Sequence, residues 1–429
     1  MVSGAAPPAL LHAALDGWMR HEAASAHARL IRRFGWDRAG LAEDALQEAL
    51  VRALETWPFK GVPDQPGAWL YVVAGNRMLD AIRSAAERRS VPLDDAPQVG
   101  FVAEGPAVVD RDALSDPELA VLFALCHPAL DTPSAIAVAL QILCGFTLRE
   151  IASALLIKPD AVAQRVSRAK ATLRGVPGIA DTPTGEPLRQ RLAVALDVVA
   201  LIFNEGFEPS SGDRPARADL CAEALRLADA LAHHPVTRGP ETHALAALLN
   251  LLFARLPARL ANPGAVTLLP EQDRSVWSRE HLRRGLRHLA ASAGGDRISR
   301  YHLLAGIAAS HAAAPSIEAT DWDAIVADYR RLVNLEDSPV HRLNLAVALQ
   351  RAGEGVLAAA EIKRLLPLPQ MRGYFWFHVA RSEIAGQLED HHQSRAALAD
   401  ALALAKTAAQ DRFVREKLDG AARCPRSPG

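Results

Sequence analysis

The sequence predicts an all-α protein. Ala and Leu dominate, aromatic residues make up only 5% of the chain, and alternating runs of Val, Ile, Thr and Tyr that would mark strands are hard to find. Apolar residues recur instead at helical spacing, interrupted by three breaks rich in Pro, Gly and acidic residues: 90–117, 174–187 and 255–275. With 429 residues, half of them hydrophobic, the chain can bury several cores, at about 100–200 residues per domain. The breaks divide it into a first domain at 1–89, an acidic linker at 90–117, a short second domain at 118–175, and a large helical part at 188–420.

The first domain opens on an amphipathic helix. In "DRAGLAEDALQEALVRALETWP" (37–58), Asp44, Gln47 and Glu48 stand at i, i+3 and i+4 and share one exposed face, while Leu46, Leu50 and Leu54 mark the buried side. Such a face is polar and partly acidic, suited to docking a partner. The next segment, "GAWLYVVAGNRMLDAIRSAAERR" (67–89), mixes Trp69 and Tyr71 with Asn76, Arg77, Arg83, Arg88 and Arg89. Aromatic rings stack on unpaired bases and arginine binds phosphates, a combination suited to single-stranded nucleic acid. The plainer alternative is a set of core aromatics beneath surface charges.

The second domain carries the clearest local signals. Thr147 followed by Glu150 is a capping box that starts a helix, and Pro159 suits the first turn of another. Val162, Val166 and Ala169 then face inward, leaving Gln164, Arg165, Ser167 and Arg168 more exposed. Helix, short turn and basic second helix are the layout of a helix-turn-helix, whose second helix enters the DNA major groove. An ordinary α-hairpin with a solvated basic face has the same pattern, and Leu156 stands where many such motifs have a turn glycine.

The remaining 250 or so residues (roughly, by domain arithmetic) read as a helical array. A long apolar helix ends at Asn204, Glu205 and Gly206, with Gly206 expected in the left-handed position past the helix end and Phe207 as its hydrophobic contact. Residues 321–366 and 373–407 each read as helix, polar turn, helix, near the period of about 34 residues of tetratricopeptide hairpins. Such arrays build concave binding surfaces, so a ligand or a protein partner on this part is expected.

Several classes are excluded. No apolar run approaches the roughly 20 residues that span a bilayer, and the N-terminus lacks a basic stretch followed by an apolar core and cleavage site, so no membrane attachment and a cytoplasmic location are expected. Cys126, Cys144, Cys221 and Cys424 lie far apart and suggest neither zinc nor disulfides. The pairs His233-His234 and His391-His392 lack converging acids and read as surface histidines, so no metal is expected. No Gly-rich phosphate loop, nucleophile context or H-E-x-x-H occurs, so neither catalysis nor a cofactor is expected.

Taken together, "LAEDALQEALVRALETWP", "WLYVVAGNRMLDAIR" and "FTLREIASALLIKPDAVAQRVSRAKATLR" resemble the extracytoplasmic-function (ECF) group of sigma-70-type RNA polymerase sigma factors, with region 2 over 41–89 and region 4 over 116–174. The resemblance implies a region 2 helical bundle, a helix-turn-helix region 4, and core RNA polymerase (its β′ clamp and β flap) and promoter DNA as partners. It implies that Asp44, Gln47 and Glu48 contact the β′ clamp helices. Trp69, Asn76, Arg77, Asp80 and Arg83 would serve the -10 element, and Lys158, Asp160, Gln164, Arg165 and Arg168 the -35 element. Gly75 departs from the larger residue common just before the Asn. The string "LIFNEGFEPSSGDRPARADLCAEALRL" resembles the signature of the ECF42 subgroup, whose members carry a C-terminal tetratricopeptide-like extension; there Asn204, Glu205 and Gly206 would make an inter-domain contact. A stand-alone helix-turn-helix regulator with a sensing helical domain is the alternative reading.

Overall neutrality is compatible with DNA binding. The formal net charge is -1, and phosphate contacts need only local basic patches when a polymerase supplies much of the grip. The linker, with Asp94, Asp95, Glu104, Asp110, Asp112 and Asp116, reads as a flexible acidic strand able to mimic nucleic acid, or as a plain solvated tether.

Overall fold

The computed structural model describes residues 22–23, 25–88, 114, 116–176, 179, 183–209, 216–262 and 265–423. These residues are helical, with no strand among them, so the fold is all-α as expected. Residues 89–113, which hold most of the acidic linker, and Cys424 lie outside the described residues, as does Arg89. The fold divides into two compact units, one of residues 1–202 with 233–237 and one of 203–232 with 238–429.

In the first unit, helix α1 (25–34) leads through a 3-10 turn at Trp36–Arg38 into α2 (Ala39–Lys60) and α3 (Pro66–Arg88). The buried stripe of α2 is Ala42, Ala45, Leu46, Ala49, Ala53 and Trp57, mostly alanine. Small side chains let α3 pack close along it. Then come α4 (Pro117–Leu125), α5 (Thr132–Cys144), α6 (Leu148–Ala154), α7 (Pro159–Arg174) and α8 (Gly185–Phe207). The Asp116 and Asp131 carboxylates cap α4 and α5. Apolar α5 is the hub against which α4, α6 and α7 pack. Arg191 of α8 donates to the Phe123 carbonyl at 3.0 Å, and beside it burial pushes the Cys126 thiol up to about 12.

The second unit is a helical array of α9 (Ala218–His233), α10 (Pro240–Phe253), short α11 (Leu256–Leu260), α12 (Arg279–Ser292), α13 (Arg300–Ala313), α14 (Trp322–Leu335), α15 (Pro339–Arg351), α16 (Gly355–Leu365), short α17 (Pro369–Arg372), α18 (Phe375–Gln387), α19 (His391–Leu404) and α20 (Ala408–Arg423). From α12 to α16 each helix packs on the next, α18 packs on α15 and α16, and α19 packs on α18 and α20. Residues 321–366 hold three helices where the sequence suggested two, because Gly353 at φ +84 breaks the chain before α16. Phe375, Val379, Leu398, Ala401, Phe413 and Val414 form the core at the C-terminal end. Cys126, Cys144 and Cys221 are buried free thiols.

Candidate functional site

On α2, Asp44, Gln47 and Glu48 are all exposed. The face continues into apolar residues: Val51 and Leu54 are 54% and 66% exposed, one and two turns further on. Leu54 therefore corrects the sequence reading, which placed it inward. A leucine periodicity suggested the core stripe, but alanines supply it, and Leu50 sits at its half-buried margin. Val51 and Leu54 are residues of this exposed face that sequence reasoning missed, and their signal is two bulky apolar groups in phase with Asp44 and Gln47.

Helix α3 presents Asn76, Arg77, Asp80 and Arg83 to solvent. Trp69 is half-buried and packs edge-on against Trp57 with ring centroids 5.4 Å apart. Tyr71 is buried, with the Arg29 guanidinium 4.0 Å from its ring centre. It belongs to the core and is closed to base stacking, as the plainer of the two sequence readings has it. The side chain of Arg88 lies outside the described residues. Arg77 donates from Nε and Nη2 to the two Glu48 carboxylate oxygens, at 2.5 and 3.2 Å. This bidentate pair joins the acidic face of α2 to the basic segment of α3, and the hydrogen bond and charge of Glu48 raise the Arg77 pKa.

Helices α6 and α7 are set by local chemistry. The Glu150 N–H donates to Thr147 Oγ1 at 3.2 Å and the Thr147 N–H to Glu150 Oε2 at 2.7 Å, completing the capping box. The turn uses Leu156 at φ +52, a left-handed conformation that costs a non-glycine residue roughly 1–2 kcal/mol; the Ile157 N–H closes it by donating to the Ala152 carbonyl at 2.9 Å. Val162, Val166, Ala169 and Leu173 form the buried face of α7. Lys158, Asp160, Gln164 and Arg168 are exposed and Arg165 is half-buried. Arg168 and Arg165 add their charge to the Ser134 hydrogen bonds that lower the Asp131 pKa.

The two halves of this unit meet at the edge of the α2 face. Lys170 of α7 pairs with Glu43 of α2 at 3.7 Å, and α7 packs on the 3-10 turn whose Trp36 is buried. His27 lies buried nearby, and burial lowers its pKa.

In the second unit, Gly206 corrects the sequence reading most clearly. Helix α8 runs on to Phe207, so Gly206 is within it and has no left-handed φ. A Cβ there would lie 2.8 Å from the backbone nitrogen and Sγ of Cys221 and 2.9 Å from Leu220 Cβ. The glycine lets α9 approach α8. Glu205 is buried and Asn204 exposed. His391, His392 and His233 are exposed and His234 half-buried, and no group of three or more metal-ligating side chains occurs among the described residues.

Comparison with known proteins places these surfaces in a family. Residues 24–89, which hold α1 to α3, match the model of sigma-70 region 2. The chain belongs to the sigma-70 family. This sigma factor has a role in transcription initiation, with core RNA polymerase and promoter DNA as partners, and its family is one of transcription factors, not of enzymes. Residues 191–293 match a family of unknown function, DUF6596. The sigma factor is 37% identical over 390 residues to an uncharacterized protein of Rhizobium meliloti (strain 1021), an alignment covering 88% of this chain and 89% of the relative. No solved structure matches it. Among the described residues no helix is long and apolar enough to cross a membrane.

Proposed function

We propose that this sigma factor is of the ECF type, resembling the ECF42 subgroup, and that its C-terminal array regulates it in cis. The face Asp44–Gln47–Glu48, extended by Val51 and Leu54, docks on the β′ clamp helices of core polymerase. Asn76, Arg77, Asp80 and Arg83, with the half-exposed Trp69, engage the -10 element, and the exposed side of α7 (Lys158, Asp160, Gln164, Arg165, Arg168) reads the -35 element as the second helix of a helix-turn-helix, near the β flap. Such a factor acts in the cytoplasm.

The observation that carries this reading is the adjacency of the α2 and α3 faces through the Glu48–Arg77 pair. Both partners are more than half exposed, so the pair is screened and weakly held. It can be exchanged for polymerase on one side and DNA phosphate on the other. A tetratricopeptide-like array is supported by the first residues of α14, α16 and α19, Trp322, Gly355 and His391, which recur at 33 and 36 residues, near that period.

Run-off transcription with purified bacterial core polymerase on a promoter library tests the reading. Promoter-specific transcripts are expected with the full chain and are expected to vanish with the Asp44→Ala/Gln47→Ala/Glu48→Ala variant. Absence of any core binding by the full chain refutes the assignment. Promoter output unchanged by truncation after Pro187 refutes the regulatory role of the array.

A further inference from the structure

The second unit gathers three arginines that no sequence motif linked. Arg255 and Arg259 lie one helical turn apart at α11, and Arg274 follows the loop after it. Their guanidiniums share aromatic platforms. Arg259 stands 4.4 Å and Arg255 5.8 Å from the centre of the Phe207 ring, while Arg274 and Arg255 stand 4.9 and 5.7 Å from that of Trp277. None of the three forms an ion pair among the described residues. Arg255 Nε donates to Gln272 Oε1 at 3.2 Å, and Arg274 Nη1 donates to the Ala314 carbonyl at 2.7 Å, just past the end of α13. Buried donors remain unmatched: Arg259 Nε, Arg274 Nη2 and Trp277 Nε1 have no hydrogen-bond partner among the described residues.

Acidic and phenolic groups stand beside the cluster. Burial raises the Glu208 carboxyl pKa against the pull of Arg259. Arg255 is half-buried, and burial and then the charges of Arg259 and Arg274 bring it down to about 9. Tyr329 is near enough to feel Arg255, and Tyr374 to feel Glu208. His311 is held neutral by burial and by Arg255 and Arg274. Against three guanidiniums stand Glu208 and, at the outer edge near Arg274, Glu318.

Desolvated, mutually repelling guanidiniums with spare donors are unfavourable unless an anion joins them. Arginine is the residue suited to planar carboxylate and phosphate groups. We propose that this cluster is a binding site for a small organic anion, whose carboxylate or phosphate is held by Arg255, Arg259 and Arg274 and whose apolar body lies against the half-buried Phe207. Convergent polar groups beside aromatic side chains are the usual build of such sites. Phe207, Glu208 and the three arginines all fall within the segment matched by the family of unknown function, which gives that segment a specific chemistry. Binding as such stands apart from promoter recognition; only its effect on transcription rests on reading the array as regulatory.

Titration calorimetry of the full chain without polymerase tests the site, using benzoate, phenyl phosphate, inorganic phosphate and uncharged benzamide as probes. Saturable 1:1 binding of benzoate or phenyl phosphate is expected, at least tenfold tighter than inorganic phosphate or benzamide, and the preferred of the two tells carboxylate from phosphate. Arg259→Gln should weaken binding roughly tenfold or more, the loss of a charge-assisted hydrogen bond. Glu208→Gln should tighten it severalfold by removing the competing carboxylate, an outcome that damage to the fold cannot imitate. Arg395→Gln, at an exposed position on α19, should leave it unchanged. Binding of neither aromatic anion, equal binding of benzamide, indifference to Arg259→Gln in a folded variant, or weakening by Glu208→Gln each overturns the proposal, as does binding confined to acidic peptides. Should Arg259→Gln not fold, the benzamide comparison and Glu208→Gln decide.

Discussion

Replacing Gly206 by Ala separates two accounts of the helix end at 204–207. By helix propensity alone the change stabilises, because Ala in a helix interior is favoured over Gly by about 0.8–1.0 kcal/mol, and α8 continues through this position. The packing opposes it. The added Cβ would sit 2.8 Å from the Cys221 backbone nitrogen and Sγ, far inside ordinary van der Waals contact, and one of those atoms belongs to the backbone of α9, which cannot rotate away. Overpacking of this kind costs typically 1–3 kcal/mol, occasionally more. The net expectation is a loss of up to about 2 kcal/mol. In a unit of this size that lowers the thermal midpoint by about 2–4 °C per kcal/mol. Scanning calorimetry of the full chain, comparing wild type with Gly206→Ala and with Gly206→Ala/Cys221→Ala, reads it directly. The double variant removes the Sγ clash but keeps the backbone one, so it should recover only part of the loss. A Gly206→Ala protein more stable than wild type by the full propensity gain of about 0.8–1.0 kcal/mol refutes the close approach of α8 and α9.

Thr147→Ala removes the Oγ1 that accepts from the Glu150 N–H at 3.2 Å and should cost about 1 kcal/mol, seen as a lower unfolding midpoint of the first unit, whereas Thr147→Ser should keep it. His311 is depressed to about 4 by burial, with Arg255 and Arg274 adding to it. Its folded pKa lies below its unfolded value of about 6.5, so its contribution is complete above pH 6.5 and is lost as pH falls from there towards 4. The acid-side decline in the midpoint of the second unit should be shallower in His311→Gln.

The sequence made visible what is encoded locally. The Thr147–Glu150 capping box, Pro159 at the first turn of α7 and the inward Val162, Val166 and Ala169 each depend on residues within one or two turns, and each stands where its pattern put it. Leu54 was misread because period alone does not say which of two apolar stripes is covered: alanines on α2 admit α3 closely, turning Leu54 out. Tyr71 stayed open between core and stacking because the Arg29 that roofs it comes from α1, far off in sequence. Gly206 was misread because a glycine before an aromatic suits a helix end as well as a helix crossing, and only the position of Cys221 decides. The arginine cluster was out of reach altogether. It depends on α8, α11, α13 and α14 being folded against one another, and no spacing in the chain announces it.

Charge placement within the first unit bears on how such a factor could be controlled. In a chain with a net charge of -1, α3 and α7 of the first unit carry exposed basic residues, among them Arg77, Arg83 and Arg168. The contact that joins these halves uses Glu43, Lys170, Trp36 and His27. Glu43 stands one turn before Gln47, at the edge of the face proposed to meet polymerase, while Asp44 points about a quarter turn away and stays open. Asp44, Gln47, Asn76, Gln164 and Arg168 therefore remain exposed within the packed unit, and Glu48 and Arg77 are covered only by each other. The unit's own packing does not mask its candidate surfaces. If the C-terminal half regulates the factor as proposed, it works on surfaces already open, and the proposed anion site is a place for a signal to enter.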